Sequence, residues 1–232
     1  VQCAVVGLSG GVDSAVVAAL CVRAISNGNV IGLIMPYKTS SSDSITDAKK
    51  LASVLEIKTI KIDITPMIDA YFTTHRKADN TRRGNKMARE RMAVLYDYSK
   101  VKNAVVVGTG NKTEYLLGYF TMFGDGAYAI NPIGSLYKTE AWQLAEYLKI
   151  PKKIINKKPS ADLWQGQTDE AELGLTYKEA DKILYLLVDK KKTKKNLLSL
   201  GFDADSIDLT IRKIKSTEFK RCPPKILTLK KY

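Results

Sequence analysis

Histidine and cysteine are scarce in this sequence, and their scarcity excludes several kinds of chemistry. The 232 residues include one histidine, His75, and three cysteines, Cys3, Cys21 and Cys222, with no Cys-x-x-Cys pair. A histidine-cluster metal site is therefore excluded, a thiolate zinc site cannot be built from these cysteines alone, and Ser-His-Asp catalysis is disfavoured. The odd number of cysteines argues against a disulfide framework and indicates a reducing, cytoplasmic setting.

Long apolar runs and acidic residues are also in short supply. No apolar run approaches the roughly 20 residues that cross a bilayer, and no signal-peptide pattern is present, so no membrane association is expected. Lys plus Arg number 37 against 24 Asp plus Glu, a net charge of +13. This excess attracts polyanions, but solvated lysines account for it equally well. The basic run 190–195 has no interleaved aromatic residue, so we predict a solvated loop and no nucleic-acid partner.

Apolar runs alternate with amphipathic segments along the chain, which predicts an α/β fold. Strands are predicted at 3–8, 30–35, 58–62 and 104–107, and helices at 12–27, 42–55, 65–74, 86–100, from about 112, 138–149, from 177 and around 207–214. Residues 75–86 are predicted to form a loop. Right-handed crossovers between such strands give a doubly wound, Rossmann-like parallel sheet with helices on both faces. No repeat or linker divides the sequence, so residues 1–232 are expected to form one domain.

The most informative segment joins the first predicted strand to the first predicted helix. It consists of Gly7, Leu8, Ser9, Gly10, Gly11, Val12, Asp13 and Ser14. Adjacent glycines let backbone N–H groups approach a ligand, the serines add hydroxyl donors, and the helix N-terminus adds partial positive charge. The segment lacks the Gly-Lys-Ser/Thr of a Walker A loop and is no G-x-G-x-x-G fingerprint. It predicts a different phosphate-binding loop at the carboxyl edge of the sheet.

A carboxylate inside an anion site needs a cation beside it. Asp13 would repel phosphates unless Mg²⁺ bridged them, as it does with one or two carboxylates plus phosphate oxygens. Glu114, just past a second glycine-rich turn at 108–110, is a candidate second ligand. The parallel sheet brings both turns to one edge. Taken alone, Glu114 is equally explained as a helix-cap acid, whereas Asp13 is poorly explained in that way.

Ser9-Gly10-Gly11-Val12-Asp13-Ser14 resembles the pyrophosphate loop of the N-type ATP pyrophosphatases, an adenine nucleotide alpha hydrolase-like superfamily. Further segments resemble one of its families, NAD synthetase, in the order in which that family carries them. These are 84–92, 108–114, 124–126, 131–133, Lys138, 159–163, 169–174 and 220–221. The first motif is specific to the superfamily, and the whole set, which covers nearly the entire chain, is specific to the family.

The resemblance implies a reaction and a role for each matching residue. The carboxylate of deamido-NAD would attack ATP to give an acyl adenylate and pyrophosphate, and ammonia would then displace AMP to give NAD. Gly7–Ser14, Thr109, Lys138 and Ser160 would bind ATP, with Asp13 and Lys138 as the catalytic residues. Asp13 and Glu114 would bind Mg²⁺, and Arg89 and Lys220 would bind deamido-NAD. The family's members are homodimers that share the dinucleotide site across their interface.

The sequence departs from the family pattern at three positions and at its start. Met122 stands where many members carry Lys, Ala129 where they carry Asp, and Phe219 where they carry His. All three concern the dinucleotide rather than ATP. The family's N-terminal helix is absent, so we expect a trimmed start. We also expect ammonia rather than glutamine as the nitrogen source, since no amidotransferase region with a catalytic cysteine is visible.

Two alternatives remain open. The net charge of +13 would suit a related enzyme that adenylates tRNA, although no extra RNA-binding region is visible. The second alternative is a degenerate ATP-binding module with a regulatory role. The intact Asp13, Glu114 and Lys138 argue against it.

Overall fold

Four parallel strands form the central sheet, in the order β3-β2-β1-β4. The computed structural model describes residues 2–164, 166–224 and 226–228. The strands are β1 (Cys3–Gly7), β2 (Val30–Ile34), β3 (Lys58–Lys61) and β4 (Ala104–Val107). Because β1 pairs with β2 on one side and with β4 on the other, the chain reverses its direction of winding beside β1. The doubly wound parallel sheet predicted from the sequence is confirmed.

Helices cover both faces of this sheet. They are α1 (Val12–Ile25), α2 (Ser42–Val54), α3 (Thr65–Phe72), α4 (Asn80–Val101), α5 (Lys112–Leu117), α6 (Lys138–Tyr147), α7 (Lys152–Ile155), α8 (Asp169–Leu173), α9 (Tyr177–Leu184), α10 (Lys194–Ser199) and α11 (Ala204–Ser216). A π-helical turn, Tyr185–Asp189, follows α9. None of the helices in the described part of the chain has the length and apolarity of a bilayer span.

Side chains of β1 alternate between two hydrophobic cores, as expected for a strand that is buried on both faces. Ala4 and Val6 pack with α1, α2, α6 and α7 on one face. Val5 packs with α3 and α4 on the other face. A third core, around the fully buried Tyr177, joins α5, α6, α8 and α9 beyond the sheet. The sheet is thus packed on both faces, and the third core adds a separate layer of helices.

Two predicted loops are partly helical, and three short helices, α7, α8 and α10, were not predicted. The loop prediction for 75–86 is wrong over 80–86, because Asp79 caps α4 by accepting a hydrogen bond from the Arg82 N–H at 2.7 Å. The solvated loop at 190–195 likewise ends at Thr193, whose side chain caps α10. Helices α7 and α8 are too short to show an apolar period in the sequence.

Candidate active site

A cavity of about 590 Å³ lies at the carboxyl edge of the sheet, where the segments after β1 and β4 meet. Its volume is in the range typical of small-molecule sites. The predicted site residues that line it are Gly7, Leu8, Ser9, Gly11, Val12, Asp13, Ser14, Thr109, Glu114, Lys138, Ser160 and Lys220. Gly10 and Arg89 are absent from this lining. The fold therefore brings both glycine-rich turns and three distant segments to one cavity.

The loop after β1 is held by its own serine hydroxyl groups. The two hydroxyl oxygens of Ser9 and Ser14 lie 3.1 Å apart, and the Gly11 N–H donates to Ser9 Oγ at 3.2 Å. Ser14 Oγ donates to the Gly11 carbonyl oxygen at 3.0 Å. Gly11 is the N-cap of α1, and no side chain caps that helix. The loop thus presents a helix N-terminus and hydroxyl groups to the cavity, which is a suitable arrangement for an anion.

Lys138 is the buried cation at the centre of the site. Its side chain is 3% exposed and forms an ion pair with Asp13, and its Nζ lies 4.0 Å from Glu114 Oε1. Burial alone would lower the pKa of Lys138, but Asp13 and Glu114 outweigh burial and raise it above its ordinary value. Asn111 also donates to Asp13 Oδ1 at 3.2 Å. A charged lysine is therefore held between two carboxylates beside the phosphate loop.

The surroundings of Glu114 disfavour its ionised form. Burial and the nearby Asp13 raise the pKa of Glu114 to about 8, although Lys138 and the Asn111 backbone oppose that shift. Glu114 Oε2 accepts from the Asn111 N–H at 3.1 Å, which completes a capping box at the start of α5. Glu114 therefore does cap α5, as the helix-cap interpretation expects. The raised pKa adds that a further cation would stabilise the ionised form.

A buried acid on α8, Asp169, also lines the cavity. Asp169 accepts hydrogen bonds from the hydroxyl groups of Tyr119, at 3.1 Å, and Tyr177, at 3.0 Å. Burial raises the pKa of Asp169, and the charge of Lys138 opposes that rise. Sequence analysis placed Asp169 in a family motif without giving it a role. Its contacts could not be foreseen, because they join α8 to residues that are distant in the sequence.

Arg89 lies outside the main cavity, whereas Arg91 lines it. Arg89 borders a separate pocket of about 200 Å³ on α3 and α4, and its Nε donates to the Met122 carbonyl oxygen at 3.4 Å. Arg91 Nε donates to the Met35 carbonyl oxygen at 3.0 Å. The helical period was the available signal, since Gly84, Ala88 and Arg91 share one face of α4 and line the cavity. Arg91 lies in the family segment 84–92 and in the helix predicted over 86–100, but the resemblance gave the dinucleotide role to Arg89.

The three remaining predicted residues reach the cavity from separate segments. Thr109 follows β4 and is half-buried. Ser160 is exposed, and its hydroxyl group donates to the Gln167 carbonyl oxygen at 2.8 Å. Lys220 Nζ donates to the carbonyl oxygens of Gly118 and Phe120, both at 2.8 Å. Lys220 thereby ties the C-terminal segment to the cavity wall.

With this geometry in place, comparison with known proteins gives the family. Residues 1–224 match the family model described as NAD synthase. The chain belongs to this family. An NH(3)-dependent NAD(+) synthetase from Fusobacterium nucleatum is 54% identical over 228 residues, which are 98% of this chain and 88% of that protein. The family resemblance found in the sequence is confirmed.

Two solved structures superpose closely on the chain. One is an NMN synthetase from Francisella tularensis, with a TM-score of 0.87, 36% identity, and coverage of 98% of this chain and 90% of that one. The other is an NH3-dependent NAD synthetase from Campylobacter jejuni in complex with the nitrate ion, with a TM-score of 0.83, 37% identity and the same coverages.

Proposed function

We propose that this protein is an ammonia-dependent NAD synthetase that amidates deamido-NAD with ATP. The observation that carries the proposal is the Asp13–Lys138–Glu114 cluster beside the phosphate loop, in a cavity that extends to Lys220. The relatives named for NAD synthesis from ammonia support the acceptor and the nitrogen source. The N-type pyrophosphatase loop supports adenylation as the first step.

The reaction takes place in two displacements. A carboxylate oxygen of the nicotinate attacks the α-phosphorus of ATP, and the bond from that phosphorus to the bridging oxygen breaks to release pyrophosphate. Ammonia then adds to the acyl carbon of the adenylate, loses a proton, and expels AMP. Both steps develop negative charge on phosphate oxygens, which is where fixed positive charge lowers a barrier.

The residues of this chain would act mainly by electrostatics. Lys138, which stays charged between two acids, would bind the phosphate oxygens of ATP as pyrophosphate departs. The N–H groups of the loop from Gly7 to Ser14 would hold the phosphate chain, and Thr109 and Ser160 would contact the nucleotide from the opposite side. Because these groups are already positioned before ATP binds, little reorganisation is needed in the transition state.

Asp13 and Glu114 form a donor set that suits Mg²⁺. Both are carboxylates, both line the cavity, and burial near Asp13 raises the pKa of Glu114 to about 8. Within the described residues, no three His, Cys, Asp or Glu side chains are grouped to hold a metal. Two carboxylates completed by phosphate oxygens are the usual protein environment of Mg²⁺. When bound, Mg²⁺ would neutralise the charge that develops on the leaving pyrophosphate.

The acceptor side includes Lys220 and, from outside the cavity, Arg89. We propose that Arg89 contacts deamido-NAD bound to a second copy of the chain, in a homodimer. Met122 is half-buried and Ala129 and Phe219 are exposed, so these three positions offer the dinucleotide no charge. The enzyme would work as one domain in the cytoplasm, where its cysteines, unpaired among the described residues, stay reduced.

The test is pyrophosphate release by Asp13→Asn, measured with MgATP, deamido-NAD and ammonium. Losing one carboxylate of the cluster should slow the reaction on the order of 100-fold or more while thermal unfolding stays cooperative. Asp97→Asn, on the exposed part of α4, is the matched control and should behave as the wild type. Asp13→Asn activity within a few-fold of the wild type would overturn the metal and catalytic assignment.

The same assay, run with different acceptors and nitrogen donors, tests the proposed acceptor and nitrogen source. Deamido-NAD with ammonium should be the efficient pair, and ammonia-free glutamine should give no NAD. The mononucleotide counterpart of deamido-NAD is included because one structural relative is named for NMN. Bulk tRNA is included because of the net charge of +13. Faster pyrophosphate release with either of these than with deamido-NAD would replace the proposed acceptor.

A further inference from the structure

A buried aspartate lies between two lysines at the edge of the cavity. Asp47, on α2, has a side chain that is 2% exposed, and its oxygens lie 3.0 Å from Lys153 Nζ and 3.4 Å from Lys157 Nζ. Burial raises the pKa of Asp47, but hydrogen bonds and charges from both lysines outweigh burial and leave it below its ordinary value. Asp47 is therefore ionised and has two cationic partners rather than one.

The two lysines differ in where they lie. Lys157 lines the cavity, and its side chain is 29% exposed. Lys153 is 56% exposed, does not line the cavity, and also pairs with the exposed Asp43 at 3.4 Å. If the Lys157 ammonium moved toward a ligand, Asp47 would keep its closer partner, Lys153. The buried carboxylate would then never lose its counter-charge.

Lys157 is also connected to the phosphate loop through one residue. Its Nζ donates to Ser44 Oγ at 3.0 Å. Ser44 is in turn packed against Gly10, because a Cβ built on Gly10 would lie 2.2 Å from the Ser44 carbonyl oxygen. An ammonium has three donors, and Ser44 and Asp47 occupy two of them. The third donor is left for the cavity, which Lys157 lines.

We propose that Lys157 binds the β- and γ-phosphates of ATP, and afterwards the pyrophosphate product, where Ser44 packs on Gly10 of the loop, while Lys138 pairs with Asp13. The proposal rests on the adenylating function proposed above but not on the identity of the acceptor. The two lysines then have different roles. Lys138 lies with the acids of the proposed metal site, and Lys157 neutralises the charge of the β- and γ-phosphates. Asp47 and Ser44 position Lys157 by hydrogen bonding.

The test compares ligands that do and do not carry these two phosphates. Calorimetric titrations with magnesium pyrophosphate, MgATP and AMP are made on the wild type, Lys157→Met, Lys157→Arg and the matched control Lys153→Met. Lys157→Met should weaken pyrophosphate and ATP about 10-fold or more, as expected for a lost charge-assisted hydrogen bond, and leave AMP within about 3-fold. Lys157→Arg should keep most of the affinity. Lys153→Met should lower the melting temperature without weakening pyrophosphate beyond about 3-fold.

Three outcomes would overturn the proposal: unchanged pyrophosphate affinity in Lys157→Met, an equal loss for AMP, or an equal loss in Lys153→Met. The last result would mean that the effect passes through Asp47 and the packing of α2. If Lys157→Met does not fold, Lys157→Gln replaces it in the same titrations. Because no acceptor is present, the result stands even if the chain does not amidate deamido-NAD, so the two proposals fail independently.

Discussion

Gly10 shapes the phosphate loop with its backbone and does not line the cavity itself. Its φ of +77° lies in the left-handed region, and a Cβ at this position would lie 2.2 Å from the Ser44 carbonyl oxygen. Two separate costs therefore fall on any other residue here: the left-handed conformation, of about 1–2 kcal/mol, and a clash with backbone that cannot rotate away. The neighbouring Gly11 faces the cavity and has neither constraint.

We predict that Gly10→Ala lowers the free energy of unfolding by at least about 2 kcal/mol and weakens ATP binding. Gly28 is the matched control, because its φ lies outside the left-handed region and a Cβ added there would meet nothing within 4 Å. Gly28→Ala should stay within about 0.5 kcal/mol of the wild type. Urea denaturation of both variants measures the difference. Equal stability of the two variants would show that the α2 backbone yields easily at Ser44.

Sequence reasoning reached the acids and the lysine of the site but not its arginine. Asp13 and Glu114 could be placed together because each follows a parallel strand, and β1 and β4 are adjacent in the sheet. Arg91 was missed because its orientation depends on the phase of α4, and the sequence does not reveal that phase until the start of the helix is known. Lys157 was missed because its partners, Ser44 and Asp47, are distant in the sequence.

The start of α4 shows how a single cap can extend a helix into a polar segment. Residues 80–86 have no apolar period and several basic residues, so the sequence alone predicts a loop there. In the structure Asp79 accepts the Arg82 N–H at 2.7 Å, and Arg83 lies over the Phe72 ring at 4.5 Å from its centroid. This first part of α4 places Gly84 against the cavity, where Leu163 packs on it. The cap therefore affects the site as well as the helix.

We predict that Asp79→Ala destabilises the protein by about 1 kcal/mol, the usual effect of losing an N-cap. Asp97→Ala, near the end of the same helix, is the control and should cost nothing, because an acid close to a helix C-terminus interacts unfavourably with the dipole. Hydrogen exchange should show faster opening of residues 80–84 in Asp79→Ala and no change at 95–101. If exchange stays unchanged at 80–84, packing on Phe72 rather than the cap holds this turn.

Elements with an apolar run or an apolar period were predictable, and the shortest helices were not. Strands β1, β2 and β4 carry apolar runs because each is buried in the sheet. Helix α8 has only five residues, Asp169–Leu173, and depends on hydrogen bonds from Tyr119 and Tyr177 to Asp169. Tertiary contacts of this kind leave no periodic pattern in the sequence. The position of α8 in the cavity wall is therefore visible only in the structure.

At the scale of the whole molecule, the proposed site residues border two neighbouring pockets of one chain. Asp13, Lys138 and Lys220 line the main cavity, Arg89 borders the smaller pocket, and Asn85 lines both. We proposed above that Arg89 contacts the dinucleotide of a neighbouring copy. The homodimer proposal therefore predicts a behaviour of mixed dimers that would not arise if each active site were built from one chain.

We predict that two inactive variants restore each other's activity when they share a dimer. Asp13→Asn and Arg89→Ala, co-expressed with different tags and purified through both, should form mixed dimers in which one site combines an intact Asp13 with the partner chain's intact Arg89. Activity should then reach about half that of the wild type per dimer, since one of two isologous sites is whole. A mixture of Asp13→Asn and Lys138→Met should show no recovery, because both residues belong to the same side of one chain. If the first pair also stays inactive although mixed dimers form, Arg89 acts within its own chain or has no role at the site, and the shared dinucleotide site is ruled out.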